Sequence, residues 1–325
     1  MTPVLPVVSR DVRDVVPHKR QDGISVVLPY WPDRPAGEAL EVAAAADDLG
    51  FDELWIGEMA TFDAFALATA IGLRTSRIAL TIGPLAVGVR SPATIAMGVA
   101  SCANLVARDV NVALGTSSML VVEAWHERAR RQPARTLEHT ATTVRSLLAG
   151  GKSDGGFRLR LEPRPCSIGI AAFGPRAVRI AATHGDRMVL NLVTPKTAAR
   201  LCEQHNAAGG ARTAVWVPAA VDPEDDDRAQ LTRALVAYLA APGYAEVFAE
   251  AGFGDVVAFA RTRPHPRELL EAIPPELVEA VGLIGDVKAV TKRIAEYRAA
   301  GIDDICVVPA TASDRAGRRT LTSLR

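Results

Sequence analysis

Short β-branched runs and alanine-rich helical stretches alternate along this chain from Gly23 onwards. ISVVLP (24–29) leads to GEALEVAAAADDLG (37–50), which closes on Gly50 as a helix C-cap would. The pattern recurs as DELWIGE (52–58) with DAFALATAIGLRT (63–75), RIALTIGPLAV (77–87) with PATIAMGVASCANL (92–105), and DVNVALG (109–115) with PARTLEHTATTVRSLLAG (133–150). Residues 150–165, rich in Gly, Pro and charge, are predicted to form a loop carrying a small hairpin. SIGIAAF (167–173) with PRAVRIAATHG, DRMVLNLV (186–193) with PKTAARLCEQHN, TAVWVPAAV (213–221) and DDICVVPA (303–310) complete the series. Eight strands, each but the last followed by helical sequence, predict an α/β fold: a parallel (β/α)8 barrel, because parallel neighbours need helical crossovers of one hand. A doubly wound open sheet is the alternative.

Barrels of this type run past 200 residues as one domain, so 23–325 is expected to be a single barrel domain preceded by an arm, residues 1–22. A helical insertion at about 222–285 interrupts the repeat before the last strand. Its Tyr238, Tyr244, Phe248, Phe253 and Phe259 are expected to pack on one another, with a ligand lid as the alternative. The 37 basic and 37 acidic side chains cancel, leaving no net field to gather nucleic acid or an anionic membrane. Any anionic ligand must therefore be held locally. Cys102, Cys166, Cys202 and Cys306 lie far apart, and neither a secretory h-region nor about 18 uninterrupted apolar residues occur, so a cytoplasmic protein is expected. The histidines lack metal-ligand spacing, and no metal site is expected.

GFDELWIGE (50–58), RTSRIALTIGPLAVGVRSPATIAM (74–97), VALGTSS (112–118), AAFGPRAVRIAATHGD (171–186) and VGLIGDVKAVTKRIAEYRAAGIDDICVVP (281–309) together resemble the bacterial luciferase-like family. Within it the chain is most similar to the branch of coenzyme F420-dependent oxidoreductases. The resemblance implies a (β/α)8 barrel with a deazaflavin, coenzyme F420, lying across the C-terminal ends of the strands; FMN is the alternative cofactor. It implies hydride exchange with a carbonyl, imine or alkene of a small organic substrate, against an FMN-dependent monooxygenase or a noncatalytic flavin-binding subunit. The apolar insertion favours a hydrophobic substrate. Pairing into a homodimer through the second and third helical units is also implied.

The stretch FGPR has a physical reason to hold the phosphate of such a cofactor. Helix N-termini present unpaired N–H groups and a favourable dipole. Pro175 at the first helical position loses nothing, Gly174 lets a ligand approach the backbone, and Arg176 and Ala177 supply amides, with the Arg176 guanidinium as a charge partner. The family's third strand carries a cis-peptide bulge against the central ring. Gly83 and Pro84 occupy that place, and the bond between them is predicted cis, since cis costs only about 0.5–1 kcal/mol before proline.

Glu58, at the end of the second strand, is a candidate for both catalysis and cofactor contact, because the family often has an acid there. Asp63 is expected to cap the helix that follows. Met59 stands where sugar-phosphate dehydrogenases of the family have a catalytic histidine, which argues against that chemistry. Gly115, Thr116 and Ser117 are cofactor-contact candidates on a segment where relatives commonly have GxGxGE. Their hydroxyls are poor acids, so a proton donor must come from elsewhere, with Glu123 and His126 as candidates. A further departure is VARD (106–109), in place of a glycine-rich turn.

Overall fold

The strand segments are apolar on both faces, as parallel strands must be when helices cover one side and the barrel interior the other. The computed structural model describes residues 23–325, so the expected arm at 1–22 lies outside the described residues. Its strands are β1 (Gly23–Val27), β2 (Glu53–Ile56), β3 (Ala79–Ala86), β4 (Val110–Gly115), β5 (Ile168–Ala171), β6 (Arg187–Asn191), β7 (Arg212–Val221), β8 (Leu283–Gly285) and β9 (Asp304–Pro309). All pair in parallel in the order β6-β5-β4-β3-β2-β1-β9-β7, and pairing of β6 with β7 closes the cylinder. This is the expected (β/α)8 barrel.

Helices α1 (Glu38–Asp48), α2 (Ala64–Gly72), α3 (Pro92–Val106), α4 (Pro133–Leu148), α5 (Pro175–His184) and α6 (Pro195–Ala207) follow the first six strands. Between β7 and β8 stand α7 (Asp225–Leu235), α8 (Tyr244–Phe248), α9 (Gly254–Arg261), α10 (Pro266–Glu271) and α11 (Pro275–Val281), the expected insertion. They bury a core of their own around Leu231, Leu239, Phe248 and Leu277. Tyr238, Tyr244 and Phe248 pack together as expected, Tyr244 edge-on to Tyr238 with ring centroids 4.7 Å apart, whereas Phe259 is exposed.

Three details differ from expectation. Residues 150–165 contain a turn closed by the Ser153 amide on the Phe157 carbonyl (2.9 Å) but no hairpin ladder. The last barrel strand, β9, is followed by a helix, α13 (Arg318–Ser323), after α12 (Val287–Ala299) has filled the seventh helical place. The three-residue β8 pairs only with the end of β7, Ala219–Val221, on the edge that β6 covers no further than Trp216.

Outward strand residues such as Leu54, Leu80, Val112, Leu190 and Val307 join the helices in one continuous core. Inward ones, Val27, Trp55, Ala113, Val189, Ala214 and Cys306, pack on each other inside the cylinder. One layer below, at the N-terminal ends of the strands, Arg187 bridges Glu53 (2.7 and 2.9 Å) and Asp304 (3.0 Å), and its guanidinium lies 4.5 Å from the Trp55 ring. Arg212 also reaches Asp304 (2.6 Å), and Thr81 donates to Glu53. This layer closes the bottom of the barrel.

The VARD segment also lies at that lower end, before β4. The guanidinium of Arg108 donates to the carbonyl of Ile78 (3.3 Å), the hydroxyl of Thr75 (3.0 Å) and the carbonyl of Gly72. Its departure from the family therefore concerns the joint between α2 and β3, not the mouth. Nearby, the Asp47 carboxylate, buried at the end of α1, accepts from the amides of Ser76 (2.7 Å), Ile78 (2.9 Å) and Arg77 (3.2 Å) and from the Ser76 hydroxyl (3.0 Å). Burial alone would raise this carboxyl, but the converging N–H groups outweigh it and hold it below the ordinary carboxylate range. Asp47→Asn is expected to cost about 2 kcal/mol, because an amide cannot accept all four bonds. The Asp47 contribution is present at neutral pH and fades as pH falls below about 4, so denaturant titrations at pH 7 and pH 3 should show the wild-type advantage shrinking in acid.

Candidate active site

Inward residues two positions beyond the packed interior layer form the floor of the barrel mouth, since side chains on one face of a strand recur every second residue. They are Gly57, Gly115, Ala171, Asn191, Trp216 and Val308. Between β3 and β4 the register shifts from Ile82 to Leu85, and the Gly83–Pro84 bond in this bulge is cis, as predicted. A Cβ on Gly115 would lie 3.5 Å from the Pro84 Cβ and 3.4 Å from the Ala171 Cβ, so these three positions face one another.

The floor is asymmetric. On the β3 to β5 side it is lined by Pro84, Gly115 and Ala171, which leave room. On the other side Trp216 reaches across from β7, with the outer edge of its indole 3.7 Å from where a Cβ on Gly57 would stand. Trp55 supports it from below in an edge-to-face contact, centroids 5.6 Å apart. Beside Trp216, its register partner Asn191 donates from its side-chain amide to the Tyr244 hydroxyl (2.9 Å). Tyr244 comes from α8 of the insertion and also packs on Phe173, centroids 4.7 Å apart.

Phe173 opens the turn into α5. Gly174 is the N-cap and extended (φ −83°, ψ 159°), no side chain caps the helix, and Pro175 occupies its first turn. The amides of Arg176 and Ala177 have no intrahelical partner by helix geometry. Gly174, Pro175 and Arg176 are exposed, and a Cβ added at Gly174 would meet nothing within 4 Å. The four expected residues thus form an open backbone cradle on the C-terminal face of the barrel.

Glu58 lies at the rim with both oxygens occupied. Arg90 donates to both, with Nε at 3.2 Å from Oε2, and the Ala64 amide donates to Oε1 (3.2 Å). Arg90 also pairs with Asp63, which caps α2 by accepting from Phe65 and Ala66 (3.0 Å each), as expected. Burial would raise the Asp63 carboxyl, but the Ala66 amide and Arg90 prevail and hold it low. Glu58 therefore links the loop after β2 to the loop after β3. Beyond that link a cavity of about 630 Å3 opens, lined by residues including Gly88, Ser91, Thr94, Arg128 and His139.

Thr116 and Ser117 sit directly above Gly115. The Arg130 guanidinium folds back to donate to the Ser117 carbonyl (3.0 and 3.2 Å), with Thr116 Oγ1 at 3.5 Å. His126 follows a π-helical turn, Leu120–Trp125, and is exposed; among the described residues its ring has no hydrogen-bond partner. Glu123 accepts from the backbone of Arg130 (3.3 Å). The structure therefore does not bring His126 together with Glu58 or the cradle through any recorded contact. Sequence reasoning missed Arg90, Arg130, Asn191 and Trp216. The polar Asn191 at an inward strand end was the one visible signal among them.

A closed parallel barrel with an open helix start and small floor residues at the C-terminal strand ends has the architecture of barrel enzymes that work at that face. The chain belongs to the luciferase-like monooxygenase family, whose model matches residues 18–304. A Mycobacterium tuberculosis protein named "Putative coenzyme F420-dependent oxidoreductase" is 27% identical, covering 89% of this chain and 95% of its own. The 5,10-methylenetetrahydromethanopterin reductase of Archaeoglobus fulgidus is 24% identical, covering 86% and 91%. In fold the chain is similar to the coenzyme F420-dependent tetrahydromethanopterin reductase of Methanopyrus kandleri (TM-score 0.76, 17% identity, 93% of this chain and 97% of that one). An F420-dependent secondary alcohol dehydrogenase solved with an F420-acetone adduct is similarly close (TM-score 0.73, 17% identity, 93% and 99%).

Proposed function

We propose that this chain is an oxidoreductase that uses coenzyme F420 to exchange a hydride with a carbonyl, imine or alkene of a small, hydrophobic organic compound. The observation that carries the reading is the juxtaposition of the Gly174–Ala177 cradle with the side of the floor lined by Pro84, Gly115 and Ala171. A cradle open to a Cβ fits a phosphate, and a floor of small residues fits a flat ring. The name of the Mycobacterium tuberculosis relative favours the deazaflavin over FMN.

In this reading the amides of Gly174, Arg176 and Ala177 hold the phosphate, with the Arg176 guanidinium as counter-charge. Pro84 and Gly115 support the ring. Thr116 and Ser117, held in place by Arg130, border it, and Glu58 with Arg90 fixes the facing rim. When bound, the deazaflavin supplies or accepts the hydride at its C5. The chain also pairs with a second copy through α2 and α3, where Leu73, Met97 and Leu105 are exposed.

Fluorescence titration with F420 and, separately, FMN tests this function. Saturable F420 binding is expected, at least tenfold tighter than FMN. Gly174→Val, whose side chain enters open space, should leave the melting temperature unchanged and weaken F420 at least tenfold. FMN binding more tightly, or unchanged F420 affinity in the variant, would overturn it.

A further inference from the structure

The proposed function leaves the occupied side of the floor without a part in holding the cofactor, yet this side carries specific polar chemistry of its own. Asn191 projects inward from the end of β6, its register partner Trp216 from β7, and Tyr244 reaches Asn191 from the insertion. All three are half-buried, so they are neither sealed in a core nor free on the surface.

Their hydrogen bond leaves three groups unfilled. Asn191 Nδ2 donates to the Tyr244 hydroxyl oxygen at 2.9 Å. The Tyr244 O–H proton, the Asn191 Oδ1 acceptor and the second Asn191 Nδ2–H have no partner among the described residues. A hydroxyl that accepts one bond keeps its own proton to donate, and an amide oxygen has two lone pairs. Burial, its main cause, pushes the Tyr244 hydroxyl well above its ordinary range, so it remains a donor. One donor and one acceptor side by side are complementary to a secondary alcohol, which both accepts and donates; the donor alone is complementary to a ketone.

The surroundings limit the rest of the molecule. Trp216 forms an apolar platform, and the rings of Phe173 and Tyr238 flank Tyr244 at 4.7 Å each. Such a pocket wall favours an aliphatic or cyclic body over a charged or sugar-like one.

We infer that Asn191 and Tyr244 form the oxygen-recognition pair for the substrate, and that the substrate class is small, uncharged ketones and their secondary alcohols seated on Trp216. This inference rests on the proposed function and deepens it. It also assigns the insertion a part in the site, since Tyr244 belongs to α8.

Calorimetric titration of the full chain saturated with oxidised F420 tests the pair, because a ketone and the oxidised cofactor cannot react. The probes are cyclohexanone and methylenecyclohexane, which matches its shape without the oxygen, and cyclohexanone is expected to bind saturably to the wild type. Tyr244→Phe should weaken cyclohexanone about three- to tenfold, the loss of one neutral hydrogen bond, and leave methylenecyclohexane and F420 affinities unchanged. A purely structural role for Tyr244 would shift both probes alike. Asn191→Leu, of similar volume, is the second variant and decides the matter if Tyr244→Phe does not fold; it should weaken cyclohexanone more than methylenecyclohexane by freeing the phenol to turn away. Equal weakening of both probes, no change with cyclohexanone, or no cyclohexanone binding to the wild type overturns the inference and leaves the F420 reading standing. Failure of the folded wild type to bind F420 overturns that reading, and this one falls with it.

Discussion

Arg187→Met is expected to lower the unfolding free energy by about 3–5 kcal/mol in denaturant titrations at neutral pH. The guanidinium is buried at the bottom of the barrel, bonded to Glu53 and Asp304 and lying over Trp55. Methionine fills much of the space, so the loss comes chiefly from leaving carboxylates without their counter-charge. Arg212 still reaches Asp304, so Glu53 is the group stranded. In the wild type, burial would raise the Glu53 carboxyl, and the Arg187 charge outweighs it and holds the carboxyl low. A depressed carboxyl contributes stability that is present at neutral pH and lost as pH falls through it. Removing Arg187 leaves the burial in place and reverses the sign, so the deficit of the variant should shrink towards acid pH. Adding Glu53→Gln should recover part of the loss at pH 7, and a double variant no better than the single one would refute the account.

Gly83→Ala is expected to cost about 3 kcal/mol or more and to lower the melting temperature by about 4 °C or more. Its backbone has φ +116°, outside the range open to alanine. An added Cβ would stand 2.3 Å from the Ala113 carbonyl oxygen and 2.6 Å from the Leu85 nitrogen, both backbone atoms that cannot turn aside. Relief requires β3 to move against β4, and that carries Pro84 away from Gly115 at the mouth. F420 affinity should therefore fall together with stability, whereas Gly174→Val should lower affinity alone. A Gly83→Ala protein with wild-type melting and binding would refute this.

The strand and helix series was legible because each strand is apolar on both faces and each crossover helix is long enough to show its own composition. The cap at Asp63, the bulge at Gly83 and Pro84 and the turn at Gly174 were legible because Asp, Gly and Pro act locally. β8 was not: three residues carry no period, and the strand exists only because β7 overhangs its neighbours. Arg90 with Glu58, Arg130 with the Ser117 carbonyl and Asn191 with Tyr244 are contacts across 32, 13 and 53 positions respectively. Nothing local specifies such partners. EAWHERARRQPAR looked like an exposed charged run and mostly is, yet Arg130 turns back to hold the loop above Gly115. Trp216 shows the same limit, since alternation tells that it points inward but not that it crosses to Gly57.

The stem formed where β8 lies beside the end of β7 has a consequence for how such a chain can diversify. Val221 and Gly285 are register partners, and the Asp222 amide donates to the Gly285 carbonyl at 2.8 Å, so the chain leaves and re-enters the cylinder at one point. A segment whose two ends are pinned together adds little closure entropy when lengthened or exchanged. Selection can therefore replace the material that supplies Tyr244 without disturbing the strands beneath, altering which molecules are admitted while the machinery below is inherited intact.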